Sequence, residues 1–130
     1  MPPAWWGRYP DGETLLEVTA PPTALASLGE TALPALLAAG AGIRGSAGAG
    51  HWYVAVPGGT PVEEVAALVT RLRSAVLAHG GSVIARFGPA GLHETMDLWG
   101  PAPALALLHR VKAQFDPGHR LAPGRFVGGI

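Results

Sequence analysis

The sequence predicts an α+β protein with a ferredoxin-like sandwich, in which the elements follow the order βαββαβ. Three observations carry this prediction. Four short β-prone segments are present, two segments with helical spacing of apolar residues lie between them, and Gly or Pro residues end each one. Two right-handed crossovers then give an antiparallel four-stranded sheet with both helices on one face. A further C-terminal helix and an irregular tail complete the chain.

The first strand and the helical segment after it form the opening βα unit. Residues 13–19 are β-prone and end at two consecutive prolines. Thr23 is expected to cap the helical segment, whose leucines recur at near-helical spacing. Gly29 and Pro34 interrupt that pattern, so we expect two helical pieces or one kinked helix that ends at Gly40.

Two strands and a glycine-rich turn are expected in the middle of the chain. Residues 43–46 form the first strand, and residues 52–56 are the strongest strand segment of the sequence. The stretch from Gly45 to Gly50 connects them and opens no helix, so it lacks the strand-to-helix context of a phosphate-binding loop. We therefore interpret it as a hairpin loop.

The second βα unit begins with the clearest helix of the sequence. Thr60, Pro61 and Glu63 stand where a capping box requires them, with the hydroxyl and the carboxylate each expected to bond a free backbone N–H group. An apolar stripe runs to the glycines at 80–81, and a strand over 82–87 follows. A third helix is expected from Ala102 or Pro103 to Phe115, before the Pro/Gly-rich tail of residues 116–130.

Length and composition indicate a single domain and exclude several classes of function. The chain has 130 residues, 14% of them charged, a net charge of zero and no cysteine. The sequence has no cluster of basic residues that would indicate nucleic-acid binding, and the lack of cysteine excludes cysteine chemistry. No membrane span or signal peptide is present, so the expected compartment is the cytoplasm. The low charge fits either a surface covered by a partner or a compositional bias, and the two explanations remain open.

Candidate polar sites in the body of the chain are few. The five histidines show no metal-ligand spacing, although a helix over 91–98 would place His93 and Asp97 on one face as a structural pair. Arg44 and Arg86 lie in predicted strands. Each is suited either to a substrate carboxylate in a cleft or to an ion pair at a sheet edge. No serine has a His–Asp arrangement nearby, and no catalytic residue or metal site is assigned.

The C-terminal segment carries the most specific pattern. Pro117 stops the third helix at Asp116, and Pro123-Gly124 predicts a turn, so the path between them is constrained. On chemistry alone this is an ordered tail packed on the sheet. The order of a helix, Phe-Asp-Pro, a short spacer and Leu-x-Pro-Gly-Arg nevertheless resembles the end of FAD-linked oxidases of the vanillyl-alcohol-oxidase type. The matching residues are Lys112, Phe115, Asp116, Pro117, Leu121, Pro123, Gly124 and Arg125.

Two further segments resemble the glycolate-oxidase flavin subunit in particular. They are Asp97-Leu98-Trp99-Gly100 and the final Gly128-Gly129-Ile130. The similarity extends over most of the chain from Trp5-Trp6-Gly7. It implies an N-terminal extension at 1–12 and a substrate-side or cap domain over 13–130, part of an FAD-dependent oxidase or dehydrogenase of 2-hydroxy acids. Ala122 stands where the family often has Asn.

The resemblance also implies where a cofactor and partners would bind. The tail would return to a flavin domain, and Arg86 would bind substrate. FAD would be held only together with an FAD-binding domain or subunit, because the Gly-rich pyrophosphate loop of the family lies outside this chain. Iron–sulfur and other glycolate-oxidase subunits are further implied partners, and the isolated chain is expected to be inactive. The expected cofactor-binding residues are Asp116, Arg120, Pro123, Gly124 and Arg125.

A different class of function remains open. The chain would also fit a stand-alone ferredoxin-like module that binds a small ligand or forms a homodimer through its sheet. The low charge and the adjacent Trp5 and Trp6 suit a self-association surface.

Overall fold

The computed structural model describes residue 1 and residues 3–130, with four β-strands and five α-helices. The chain divides into two compact units, residues 1–100 and residues 101–130, and each is described by itself. The bounds of the elements are β1 Thr14–Thr19, α1 Leu25–Thr31, α2 Leu33–Ala38, β2 Gly42–Ser46, β3 His51–Val56, α3 Val62–Leu77, β4 Ser82–Phe87, α4 Leu92–Thr95 and α5 Leu105–Phe115.

The sheet of the first unit has the strand order β2-β3-β1-β4, and every neighbouring pair is antiparallel. This is the order of a ferredoxin-like sandwich, so the predicted fold class is confirmed. A register shift between Leu15 and Leu16 interrupts the pairing of β1 with β4. The glycine-rich stretch after β2 is the predicted hairpin turn, and Gly50 within it has a φ of 64°.

The hydrophobic core of the first unit lies between one face of the sheet and helices α1 to α4. Alternate residues of β1, such as Leu16 and Val18, point into it, and the stripe of α3 supplies Val65 and Val69. Each fully buried aliphatic side chain of this kind contributes about 1.5–3 kcal/mol relative to exposure. Burial therefore fixes which face of each strand points into this core. The opposite face combines the buried apolar residues Leu15 and Ala55 with polar side chains.

The first helical segment is broken, as the sequence predicts. The break falls at Ala32, where φ is −106°, and α2 begins at the next residue with Pro34 in its first turn. Proline at that position needs no backbone donor. The predicted cap at Thr23 is wrong, because Thr23 lies in a 3-10 turn over Pro22–Ala24 and α1 starts after it without a side-chain cap bond.

The predicted capping box at the start of α3 is also wrong. Pro61 occupies the N-cap with φ −55° and ψ 143°, so the helix begins at Val62 and has no side-chain cap bond. The hydroxyl of Thr60 donates instead to the Pro57 carbonyl at 3.0 Å. This shift of one residue moves Glu63 out of the N3 position. Glu63 remains in the first turn, where its charge favours the helix dipole.

The predicted pair of His93 and Asp97 does not form. Helix α4 ends at Thr95, and the Asp97 carboxylate accepts hydrogen bonds from the backbone N–H groups of Trp99 and Gly100, both at 3.0 Å. Arg73 of α3 donates to the Asp97 and Leu98 carbonyls at 2.6 and 2.9 Å. The Asp-Leu-Trp-Gly segment is therefore a turn that is fixed both by its own carboxylate and by a helix.

The second unit contains α5 and the tail. The helix begins at Leu105, later than predicted, because the residues before it form a turn. No residue of α5 is buried, whereas Asp116 and Val127 of the tail are. In the described part of the chain, no helix has the length and apolar character needed to cross a membrane.

Candidate functional site

The face of the sheet opposite the core of the first unit carries a group of polar side chains. Alternation along β1 and β3 places Glu17, His51 and Tyr53 on this face, and the register pairs Glu17 with Tyr53 and Thr19 with His51. Arg86 extends from β4, the edge strand next to β1. Three strands thus bring a carboxylate, an imidazole, a phenol and a guanidinium to one surface, which we call the polar sheet face.

Glu17 connects two of these side chains. Its Oε1 lies 3.0 Å from His51 Nε2, and its Oε2 lies 3.0 Å from Arg86 Nη1. The Glu17 side chain is 22% exposed, against 35% for His51 and 52% for Arg86. A carboxylate that accepts from Nε2–H fixes the imidazole tautomer and leaves Nδ1 as a hydrogen-bond acceptor. Arg86 keeps guanidinium N–H groups that Glu17 does not use.

A chain of ring contacts runs from the imidazole of His51 to Tyr9. Tyr53 contacts His51 edge-on with ring centroids 4.8 Å apart, and it contacts Tyr9 with centroids 4.6 Å apart. Desolvation, followed by the Glu17 carboxylate, raises the pKa of Tyr53 above its usual value. The phenol therefore stays neutral and able to donate a hydrogen bond. Next to this group, the hydroxyls of Thr19 and Ser82 lie 2.7 Å apart.

Arg44 holds the N-terminal segment against the same unit. Its Nη1 donates to the backbone carbonyls of Trp5, Arg8 and Tyr9, at 3.2, 2.5 and 3.1 Å. The guanidinium carbon also lies 5.5 Å from the centre of the Trp5 ring. Arg44 is thus bonded within the chain. Arg86 forms an ion pair at the sheet edge, which is one of the two roles expected from the sequence, and its side chain remains half-exposed.

In the second unit, Asp116 organises the tail. Its Oδ1 accepts from the Arg120 N–H at 2.8 Å, and its Oδ2 accepts from the Leu121 N–H at 2.9 Å and pairs with Lys112 Nζ at 2.7 Å. The hydrogen bond of Lys112 and then those of Arg120 and Leu121 lower the pKa of Asp116 to about 2. The buried carboxylate thus closes the loop of residues 116–121, and both of its oxygens are occupied inside it.

Two residues of the tail have left-handed backbone conformations without being glycine. They are His119, with φ 49°, and Ala122, with φ 44°. This conformation costs most L-residues about 1–2 kcal/mol, and Asn adopts it more readily than Ala. An Asn at position 122 would therefore suit the backbone better than Ala does.

The other predicted cofactor-binding residues lie on the surface of the second unit. Arg120 and Arg125 are exposed, and their guanidinium groups make no hydrogen bond or ion pair with any described residue. Pro123 and Gly124 form an exposed turn, closed by a hydrogen bond from the Arg125 N–H to the Ala122 carbonyl at 3.2 Å. The tail therefore presents two unpaired cations on a loop of defined shape.

The chain offers little to hold the phosphates of a dinucleotide. Its glycine-rich stretch joins the antiparallel strands β2 and β3, so no helix N-terminus follows it. Within the described residues, no cluster of three metal-ligating side chains is present. The arginines at 120 and 125 fit an anionic group, and the described glycine-rich stretch does not have the geometry of a pyrophosphate-binding loop.

The family model described as FAD linked oxidases, C-terminal domain, matches residues 13–126. The chain belongs to this family. Membership of this family implies FAD binding by the full protein and an FAD-binding domain as the partner of this one. No curated protein and no solved structure matches the chain.

Glu17 and His51 are functional candidates that the sequence prediction missed. The signal that would have found them is the period of two in a strand: Glu17 is a charged residue between apolar neighbours in β1, and His51 begins the strongest strand. The pairing of β1 with β3, which sequence patterns do not specify, brings the two residues together.

Proposed function

We propose that this C-terminal domain forms the substrate side of an FAD-dependent oxidase or dehydrogenase acting on glycolate-like 2-hydroxy acids. We further propose that it is inactive without its FAD-binding domain. The observation that carries the proposal is the contact of one carboxylate, Glu17, with both His51 and Arg86 on the polar sheet face. A 2-hydroxy acid offers a carboxylate and a hydroxyl proton, and this face holds a guanidinium and an imidazole.

Each residue then has a distinct role. The free N–H groups of Arg86 bind the substrate carboxylate. His51 Nδ1 accepts the hydroxyl proton as the 2-hydroxy acid becomes a 2-oxo acid. Glu17 is a positioning residue that orients the imidazole and stabilises the imidazolium. The flavin, when bound, supplies the acceptor for the hydride that leaves the substrate carbon.

The tail contributes to the cofactor side in this proposal. Arg120 and Arg125 are exposed cations that suit a phosphate or the electron-rich edge of a flavin. Pro123 and Gly124 set the turn that carries Arg125. Asp116 acts by fixing the loop, since its own oxygens are already bonded. Glycolate-oxidase subunits, an iron–sulfur subunit among them, and a cytoplasmic location belong to the same proposal.

Reconstitution with the cognate FAD-binding domain tests the proposal. We expect a flavin-containing complex that oxidises glycolate or a related 2-hydroxy acid, while either part alone is inactive. Arg86→Lys should raise KM for the acid with a smaller change in kcat, because a single ammonium replaces a guanidinium fork. Arg71→Lys, on the exposed part of α3, is the matched control. A homodimer that does not bind the FAD-binding domain would contradict the proposal and favour the stand-alone module.

A further inference from the structure

We infer that the cleft between the broken helix α1–α2 and the sheet is a binding site for a small, uncharged apolar molecule, about the size of one aromatic ring. The cleft has a volume of about 130 Å³ and lies within the first unit. It is separate from the polar sheet face, because its walls come from the helix side of β1, β2 and β3. This inference does not depend on the proposed function.

The lining of the cleft determines the class of ligand. Among the described residues that form it, every side chain is apolar. Leu28, Leu36, Trp52, Val54 and Leu72 are contributed by the four elements α1, α2, β3 and α3. Water in such a space finds few hydrogen-bond partners, and charged groups would lose their hydration without compensation. An apolar molecule would restore the dispersion contacts that an empty cleft lacks.

The volume sets the size of the ligand. An engineered apolar cavity of about 150 Å³ in another protein stays dry and binds benzene, so a cleft of this volume accepts a single ring or a short branched chain. The mouth carries three partly exposed aliphatic residues, Leu25, Leu33 and Ile43, which are 43%, 37% and 40% exposed. These side chains allow entry from solvent without a polar barrier.

The two short helices α1 and α2 cover the cleft and form its roof. They have seven and six residues, break at Ala32 and have no side-chain caps. Helices this short are marginal without packing, and only Leu28 and Leu36 among their large side chains are buried. A ligand that packs beneath them would therefore stabilise the roof, and binding should slow hydrogen exchange in both helices.

Titration of the intact chain with benzene, followed by NMR of backbone amides and methyl groups, tests the inference. We expect saturable shifts at Leu28, Leu36 and Val54, with an affinity at least about tenfold higher than for benzoate. Equal binding of benzoate would overturn the inference, as would shifts confined to the exposed rings of Trp5, Trp6 and Phe87. Cleft shifts that grow with protein concentration in the absence of benzene would also overturn it, in favour of a second copy.

Gly29 provides a variant that fills the cleft. It lines the space, and a Cβ added there meets no atom within 4 Å. Gly29→Leu should weaken benzene binding at least about tenfold, whereas Ala26→Leu, on the exposed side of the same helix, should leave it unchanged. If Gly29→Leu does not fold, Ile43→Trp at the mouth of the cleft serves the same purpose. Full benzene binding by either folded variant would overturn the inference.

Discussion

Glu17 Oε1 lies 3.0 Å from His51 Nε2, so a carboxylate on β1 orients an imidazole on the adjacent strand β3. Under the proposed function, His51→Asn should lower kcat of the reconstituted oxidase by about 10²–10⁴-fold, the usual contribution of a general base. Glu17→Gln should lower it by about 10–100-fold, because a positioning residue acts through its partner. Steady-state kinetics with a saturating FAD-binding domain provides the measurement.

The control for these variants is His79→Asn. His79 contacts the Ser27 hydroxyl of α1 at 3.2 Å and makes none of the contacts given for the polar sheet face, so the substitution should leave kcat unchanged. An additional NMR readout separates orientation from folding: Glu17→Gln should change the tautomer signals of the His51 ring in the isolated domain. Wild-type kcat in His51→Asn would remove His51 from the proposed mechanism.

Asp116 should make the tail sensitive to acid. Its folded-state pKa of about 2 lies below the ordinary value of 3.8, so its stabilising contribution is complete above that value and is lost as the pH falls towards 2. Asp116→Asn should remove this dependence. Hydrogen exchange at the Arg120 and Leu121 amides measures it, since both donate to the carboxylate. Protection that is unchanged between pH 4 and pH 2 in the wild-type chain would contradict the assignment.

Ala122 should be a site of backbone strain. Because its φ is 44°, Ala122→Asn should stabilise the tail by about 0.5–1 kcal/mol. Hydrogen exchange of the Arg125 amide, which donates to the Ala122 carbonyl, reports the change. Ala113→Asn in helix α5 is the control and should destabilise, since Asn is a weaker helix former than Ala. Destabilisation by Ala122→Asn would show that the left-handed conformation is not the feature that matters.

Arg44 should hold residues 5–9 in place. Arg44→Ala removes the donor to three backbone carbonyls and should increase local opening of this segment by about 5–30-fold, equivalent to about 1–2 kcal/mol. Amide exchange and trypsin cleavage at Arg8 measure the opening. Arg71→Ala controls for the loss of charge. Unchanged exchange in Arg44→Ala would indicate that ring contacts such as Tyr9 with Tyr53 are sufficient.

The order of elements was predictable because local patterns determine it. Each strand and the helix break at Ala32 follow from Gly and Pro positions and from apolar periodicity. The predicted capping box of α3 failed for a local reason as well. Whether the helix begins at Pro61 or at Val62 depends on the backbone angles of Pro61, and residue types alone do not determine those angles.

The candidate site was less predictable than the fold. The contact of Glu17 with His51 joins residues 34 positions apart, and that with Arg86 joins residues 69 apart, so both depend on strand register. The loop around Asp116 was predictable in outline from its two prolines. Its closure by the carboxylate depends on backbone geometry between Asp116 and Leu121, which the sequence pattern does not specify.

Equilibrium dialysis of FAD against the isolated domain, alone and mixed with its FAD-binding domain, tests the central claim most directly. The account predicts that the isolated domain takes up no FAD, because its glycine-rich stretch joins two strands and precedes no helix. It also predicts that Arg120→Ala and Arg125→Ala together weaken retention of FAD by the mixture. Stoichiometric, tight binding of FAD by the isolated domain would contradict the account.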